Sequence, residues 1–204
     1  MSHPLLFLPG AGADPAFWRP VGDRLPAAWR KTYLAWPGIG NQPAQPGVDG
    51  FDDLVTLVGS QLGDTPTDLV AQSMGGAIAL RVALQHPGKI RRLVLTATSG
   101  GIDVTRFRAA DWRPEYRTAF PRAAAWITEA RPDFANELPR IAHPTLLLWG
   151  DSDPISPVGI GERLRQLLPN AKLQIVPGGD HGFAHDQADV VASAIERHLA
   201  GPPE

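Results

Sequence analysis

Six short apolar runs punctuate the chain, each bounded by Gly, Pro or Asp: PLLFLP (4–9), KTYLAW (31–36), TDLVAQ (67–72), IRRLVLTA (90–97), PTLLLWG (144–150) and KLQIVPG (172–178). Most are apolar at consecutive positions, which predicts strands buried on both faces, as in a parallel sheet covered by helices on each side. Between the runs lie stretches with helical periodicity, around 51–63, 75–86, 158–168 and 186–199. In the last, DQADVVASAIERHL places Val190, Ala194, Ile195 and His198 at helical spacing with charges between them. Strands alternating with helices predict one doubly wound α/β domain over 1–204. The stretch 101–143 breaks the alternation. It has no clear strand, is rich in Arg, Trp and Phe, and falls between the fourth and fifth strands, so it reads as an inserted cap. There are no repeats, and the tail GPPE is expected to fray.

Composition narrows the function. At 204 residues the chain suffices for one core, and its 43% hydrophobic and 20% charged shares are those of a globular protein. A net charge of −2 gives no electrostatic support to a nucleic-acid or anionic-membrane partner. With no cysteine, disulfides, thiolate metal sites and a cysteine nucleophile are excluded. The start, MSHPLLFLPG, lacks the basic flank and long apolar run of a signal peptide. No run approaches the roughly 20 residues needed to span a bilayer. A cytoplasmic protein with a small-molecule substrate is expected.

The junction of the third strand and the following helix carries the chemistry: LVAQSMGGAIAL, residues 69–80. A strand that turns sharply into a helix forces close strand–helix approach, so the neighbours of the turn residue must be small. Around Ser73 these are Ala71, Gly75 and Gly76. The turn would hold the hydroxyl out at the carboxyl end of the strand, the logic of a nucleophile elbow with Ala in place of the usual first Gly. A Ser that merely caps the helix gives the same pentapeptide. A serine nucleophile needs a base to take its proton and an acid to orient the base. WGDSDPISP follows the fifth strand and VPGGDHGF follows the sixth, both on loops at the same sheet edge as Ser73. The order Ser, Asp, His is the one that accompanies this elbow.

Taken together, FLPGAGA (7–13), AQSMGG (71–76), LLLWGDSDPISP (146–157) and PGGDH (177–181), with HPGKIRRLVL (86–95), resemble the α/β-hydrolase superfamily over nearly the whole chain except the cap. The resemblance implies a minimal α/β-hydrolase fold with a short helical cap. Its sheet would be all parallel and six-stranded, in the order 2-1-3-4-5-6, because the first strand already carries the oxyanion loop. The resemblance makes Ser73 the nucleophile, His181 the general base and Asp153 the acid. Asp151 stays as the rival acid, read otherwise as the cap of the following turn. The oxyanion donors would be the amides of Met74, after the nucleophile, and Ala11, in the first loop. That loop has Pro9-Gly10 where the family usually has His-Gly. Read as a dinucleotide loop, GAGAD lacks the third glycine and a following acidic strand end. WPGIGN (36–41) resembles the loop after the next strand and receives no catalytic role.

The activity so implied is a cofactor-independent serine hydrolase acting on an ester or thioester of a small organic acid. C–C bond hydrolysis, lactone opening or hydroxynitrile lysis on the same residues, or a ligand-binding receptor with a vestigial triad, are the alternatives. No metal site is expected: His185, four residues after His181, lacks a carboxylate partner pattern. His86 and His143 read as packing at element ends, and His3 and His198 as surface positions. Trp18, Trp29 and Trp36 read as packing. In the cap, Phe107, Trp112, Tyr116, Phe120 and Trp126 recur at loosely helical spacing, with Trp112 the leading candidate for a pocket roof over Ser73. The interleaved Arg and Asp/Glu of 101–143 nearly cancel and read as a solvated face.

Overall fold

The computed structural model describes residues 3–201. Strands β1 (Pro4–Leu8), β2 (Arg30–Tyr33), β3 (Thr67–Gln72), β4 (Ile90–Thr96), β5 (Thr145–Gly150) and β6 (Ala171–Val176) form one sheet. Its order is β2-β1-β3-β4-β5-β6, and every pairing is parallel. The helices, in chain order, are α1 (Arg19–Gly22), α2 (Phe51–Ser60), α3 (Met74–Gln85), α4 (Arg113–Ala119), α5 (Trp126–Glu129), α6 (Val158–Leu167), α7 (Phe183–Asp186) and α8 (Ala188–Ala200).

The consecutive apolar residues divide between two faces. In β1, Leu6 and Leu8 face one core while Leu5 and Phe7 face the other; in β5, Leu147 and Trp149 oppose Leu146 and Leu148. The first core is closed by α2, α3 and α6 through Leu54, Ile78 and Leu164, and the second by α1, α7 and α8 through Val21, Phe183 and Ile195. Each fully buried Leu or Phe contributes about 1.5–3 kcal/mol of transfer free energy, which offsets the ordering of the two helical layers.

The sheet order reverses beside β1. From β1 the chain runs outward to β2, then returns to β3 and proceeds the other way. Loops leaving β1 and β3 therefore diverge and leave a crevice at the carboxyl edge, where open α/β sheets bind ligands.

Four local features differ from the sequence expectation. β2 stops at Tyr33 rather than Trp36: Leu34 still donates to the Phe7 carbonyl (2.9 Å), then the chain turns so that Trp36 is wholly buried with its indole N–H on the Pro9 carbonyl (2.8 Å). Helix α1 carries no readable period because it is a single turn opened by Pro20. The stretch expected as one helix over 186–199 is two, α7 and α8, broken at Gln187 (φ −107°, ψ 41°). Within α8 the buried stripe is Val191, Ala194 and Ile195, at i, i+3 and i+4, so Val190 is 46% exposed and Val191 takes the buried position. His3 and His198 are half-buried rather than superficial. The fraying expected of the tail GPPE lies outside the described residues beyond Gly201.

Candidate active site

At the end of β3 the backbone turns within one residue. Ser73 has φ +52° and ψ −121°, and α3 begins at the next position. A non-glycine residue held there costs on the order of 1–3 kcal/mol, so the surroundings must over-determine it. They do so by close approach. A Cβ on Gly75 would lie 2.5 Å from the Pro9 carbonyl oxygen, and one on Gly76 would lie 2.6 Å from the Thr98 side chain. The Ser73 amide meanwhile donates to the Thr96 carbonyl of β4 (2.9 Å). Gly75 is thus required by the backbone of the β1 loop and Gly76 by the Thr98 side chain, and the serine hydroxyl stands above the sheet edge.

Loops from β5 and β6 reach the same point. His181 Nε2 lies 3.0 Å from Ser73 Oγ, and its Nδ1 lies 2.8 Å from Asp153 Oδ2. A carboxylate only accepts, so Nδ1 carries the proton and the Nε2 lone pair faces the serine hydroxyl. The Asp153 side chain is fully buried, and its other oxygen accepts from the amides of Ile155 (2.8 Å) and Ser156 (3.0 Å). Those bonds fix the carboxylate before the imidazole is added. Asp151 is elsewhere: exposed, it accepts from the Gly178 amide (2.7 Å) and the Ser152 hydroxyl (3.0 Å), tying the β5 loop to the β6 loop.

Met74 is the first residue of α3, so its amide has no carbonyl four residues back within the helix. Ala11 sits in the turn after β1 that is closed by the Ala13 amide on the Gly10 carbonyl (3.0 Å). Both line a cleft of about 1140 Å³, together with Ser73 and His181.

Much of the lining of this cleft comes from 101–143. Trp112 and Tyr116 line it, with the two rings edge to face at 5.4 Å, and Phe120 and Trp126 line it beyond them. These aromatics do not form one helical stripe: Trp112 precedes α4, Phe120 ends it and Trp126 opens α5. The arginines are also not simply a solvated face. Arg113 (3.1 Å) and Arg131 (3.0 Å) both donate to the Thr128 carbonyl, and Arg117 donates to the Thr128 hydroxyl (3.1 Å), stapling α4 to α5. Desolvation and the like charge of Arg113 lower the Arg131 pKa below its ordinary value, whereas the hydrogen bonds and charge of Arg113 lower that of Asp111.

The loop WPGIGN, which carries no catalytic role, supports both halves of the site. Gly40 (φ +57°) lies so close to the Gly12 carbonyl that a Cβ would stand 2.1 Å from it, and its amide donates to the Tyr116 hydroxyl of α4 (2.9 Å). The Ala124 amide donates to the Gly38 carbonyl (2.8 Å). Burial raises the pKa of Tyr116. The glycines at 38 and 40 were the available signal, since each occupies a left-handed conformation. His185 pairs with its neighbour Asp186 (2.8 Å). Among the described residues no three His, Cys, Asp or Glu side chains are grouped to hold a metal ion. Nor does any described helix have the length and apolarity to cross a membrane.

A doubly wound parallel sheet with a left-handed serine at its switch point, a histidine on that serine and a buried aspartate on the histidine defines a class of α/β proteins. Residues 3–132 and 103–188 match the family model described as the alpha/beta hydrolase fold, and the chain belongs to that family. It is 33% identical to a pimeloyl-[acyl-carrier protein] methyl ester esterase of Neisseria meningitidis serogroup C, over 93% of this chain and 66% of the relative. A 2-hydroxy-6-oxononadienedioate/2-hydroxy-6-oxononatrienedioate hydrolase of a Pseudomonas species is 24% identical over 94% of this chain and 84% of its own. Among solved structures, a thermophilic esterase from Thermogutta terrifontis superposes with a TM-score of 0.79 at 26% identity, covering 98% of this chain and 90% of that one. The chain thus spans about two thirds of the length of the Neisseria relative.

Proposed function

We propose that this chain is a serine hydrolase that cleaves an ester or thioester of a small organic acid through an acyl-enzyme. The carrying observation is the unbroken sequence of contacts from Ser73 Oγ to His181 Nε2 (3.0 Å) and from His181 Nδ1 to Asp153 Oδ2 (2.8 Å). Ser73 attacks the carbonyl carbon as His181 takes its proton. Asp153 holds the imidazole in the tautomer that accepts and stabilises the imidazolium that forms. The negative charge that develops on the carbonyl oxygen is met by the amides of Met74 and Ala11. His181 returns the proton to the departing alkoxide or thiolate; a water, deprotonated in turn by His181, then releases the acid and restores Ser73. The chemistry calls for no metal and no cofactor. The relatives named as methyl ester esterases favour an oxygen ester, and the aromatic roof led by Trp112 suits an aliphatic acyl chain.

The test is a fluorophosphonate probe with p-nitrophenyl esters as substrates. Wild type is expected to take up one probe per chain and to hydrolyse the esters, and Ser73→Ala to do neither. Equal labelling of both proteins overturns the assignment of the nucleophile.

A further inference from the structure

Gln72, the residue just before Ser73, is buried to 6% exposure at the end of β3 and stands between the two loops that serve the serine. Its side-chain amide nitrogen donates to the backbone carbonyl of His181 (3.2 Å). Its carbonyl oxygen lies against Gly10, where a Cβ would stand 2.2 Å from it. One side chain therefore fills the gap between the loop carrying Ala11 and the loop carrying His181. Asp153 orients the imidazole ring, but orientation does not fix how far the ring stands from the serine. That distance depends on where the backbone of residue 181 lies relative to β3, and the Gln72 amide links the two.

We propose that Gln72 is a positioning residue that sets the Ser73–His181 separation and spaces the Gly10–Ala11 loop at the same time; this rests on the triad reading above. The prediction is specific to the donor. Gln72→Met keeps the length and volume but cannot donate. Gln72→Glu keeps the shape, and donates only when protonated. An ionised carboxylate there would repel the His181 carbonyl and the developing oxyanion, whereas the neutral acid reproduces the native contact.

Both variants are to be assayed on p-nitrophenyl butyrate from pH 5.5 to 9, with turnover expressed per site titrated to the end point by a fluorophosphonate, so that misfolded protein is not counted. Expected for Gln72→Met is a ten- to hundredfold fall in kcat, with KM within about twofold and a constant ratio to wild type across pH. Expected for Gln72→Glu is a larger loss at pH 9, with the variant-to-wild-type ratio rising as pH falls. A kcat within twofold of wild type for both variants overturns the proposal, as does a ratio for Gln72→Glu that is flat with pH or a loss confined to KM. If wild type takes up no probe, or Ser73→Ala takes up as much as wild type, the triad reading itself fails and this inference falls with it.

Discussion

The sheet edge and the segment above it are built on different physics. At the edge, Ser73, Asp153 and His181 sit on loops no more than a few residues beyond β3, β5 and β6, each held by backbone hydrogen bonds or by glycines with no room for a side chain. The segment 101–143 above it has only the short helices α4 and α5 and isolated single turns, tied to the rest by a few backbone bonds such as Ala124 on Gly38 and Ala110 on Pro154, and otherwise by side chains: Tyr116 on Gly40, and three arginines on Thr128. Backbone fixes position to fractions of an ångström, whereas long side chains allow a surface to repack. The difference teaches where to look for each kinetic parameter. Changes at the edge should act on kcat, and changes in the roof on KM.

The most severe test of this division is Ser73→Ala. Loss of a nucleophile acting with its base typically costs on the order of 10⁴–10⁶ in kcat. The melting temperature should move little, since the hydroxyl contributes no packing. A steady-state assay with a thermal melt checks both, and a large fall in melting temperature would show that the hydroxyl holds the elbow together.

Next come the two aspartates. Asp153→Asn should lower kcat by roughly 10⁴, because the amide permits the wrong imidazole tautomer. Asp151→Asn keeps an oxygen acceptor for the Gly178 amide and should stay within a few-fold of wild type. Measured kcat values in the reverse order would assign the acid to the other end of the GDSDP turn.

In the roof the effect should be smaller and of another kind. Truncating Trp112 to Ala removes apolar area worth roughly 25 cal/mol per Å², or about 1–3 kcal/mol for the contact. Because ground and transition states share that contact, KM for long-chain p-nitrophenyl esters should rise about tenfold, with acetate little affected and kcat preserved. An unchanged chain-length preference would place Trp112 outside the acyl site.

The smallest change is Tyr116→Phe, which removes only the hydroxyl that accepts from the Gly40 amide. A hydrogen bond of this kind is worth about 1 kcal/mol net. The expected result is a drop of a few degrees in melting temperature, with KM changed less than in Trp112→Ala. A fall in kcat beyond tenfold would mean that the roof and the sheet edge are coupled more tightly than their construction implies.

The same division explains what could be read from the sequence. TLLLWG in β5 and LVAQ in β3 are legible because a strand buried on both faces has no option but consecutive apolar residues. The elbow is legible because Gly75 answers to the backbone of the β1 loop and Gly76 to the buried Thr98 side chain, neither of which leaves room for a Cβ. The choice of Val191 over Val190 is not, because either valine falls at a helical spacing from Ala194, and how α8 docks on the sheet decides which one faces the core. Arg113, Arg117 and Arg131 read as surface charge since their common partner, Thr128, is chosen by tertiary approach and not by spacing. The support given by Gly38 and Gly40 was visible only as two glycines in a loop; what they lean against comes from elsewhere in the chain.

An all-parallel sheet also has a consequence in time. No two neighbouring strands are joined by a hairpin, so every ladder must wait for a crossover to close, which is the slow end of folding topologies. The contact between Ser73 and His181 spans 108 residues, and the one between Asp153 and His181 spans 28 and needs β6, at the sheet's edge, already docked. A nascent or partly refolded chain can therefore hold the core closed by α2, α3 and α6 and still be chemically silent. Recovery of esterase turnover on dilution from denaturant should lag recovery of tryptophan fluorescence, with the final strand as the gate.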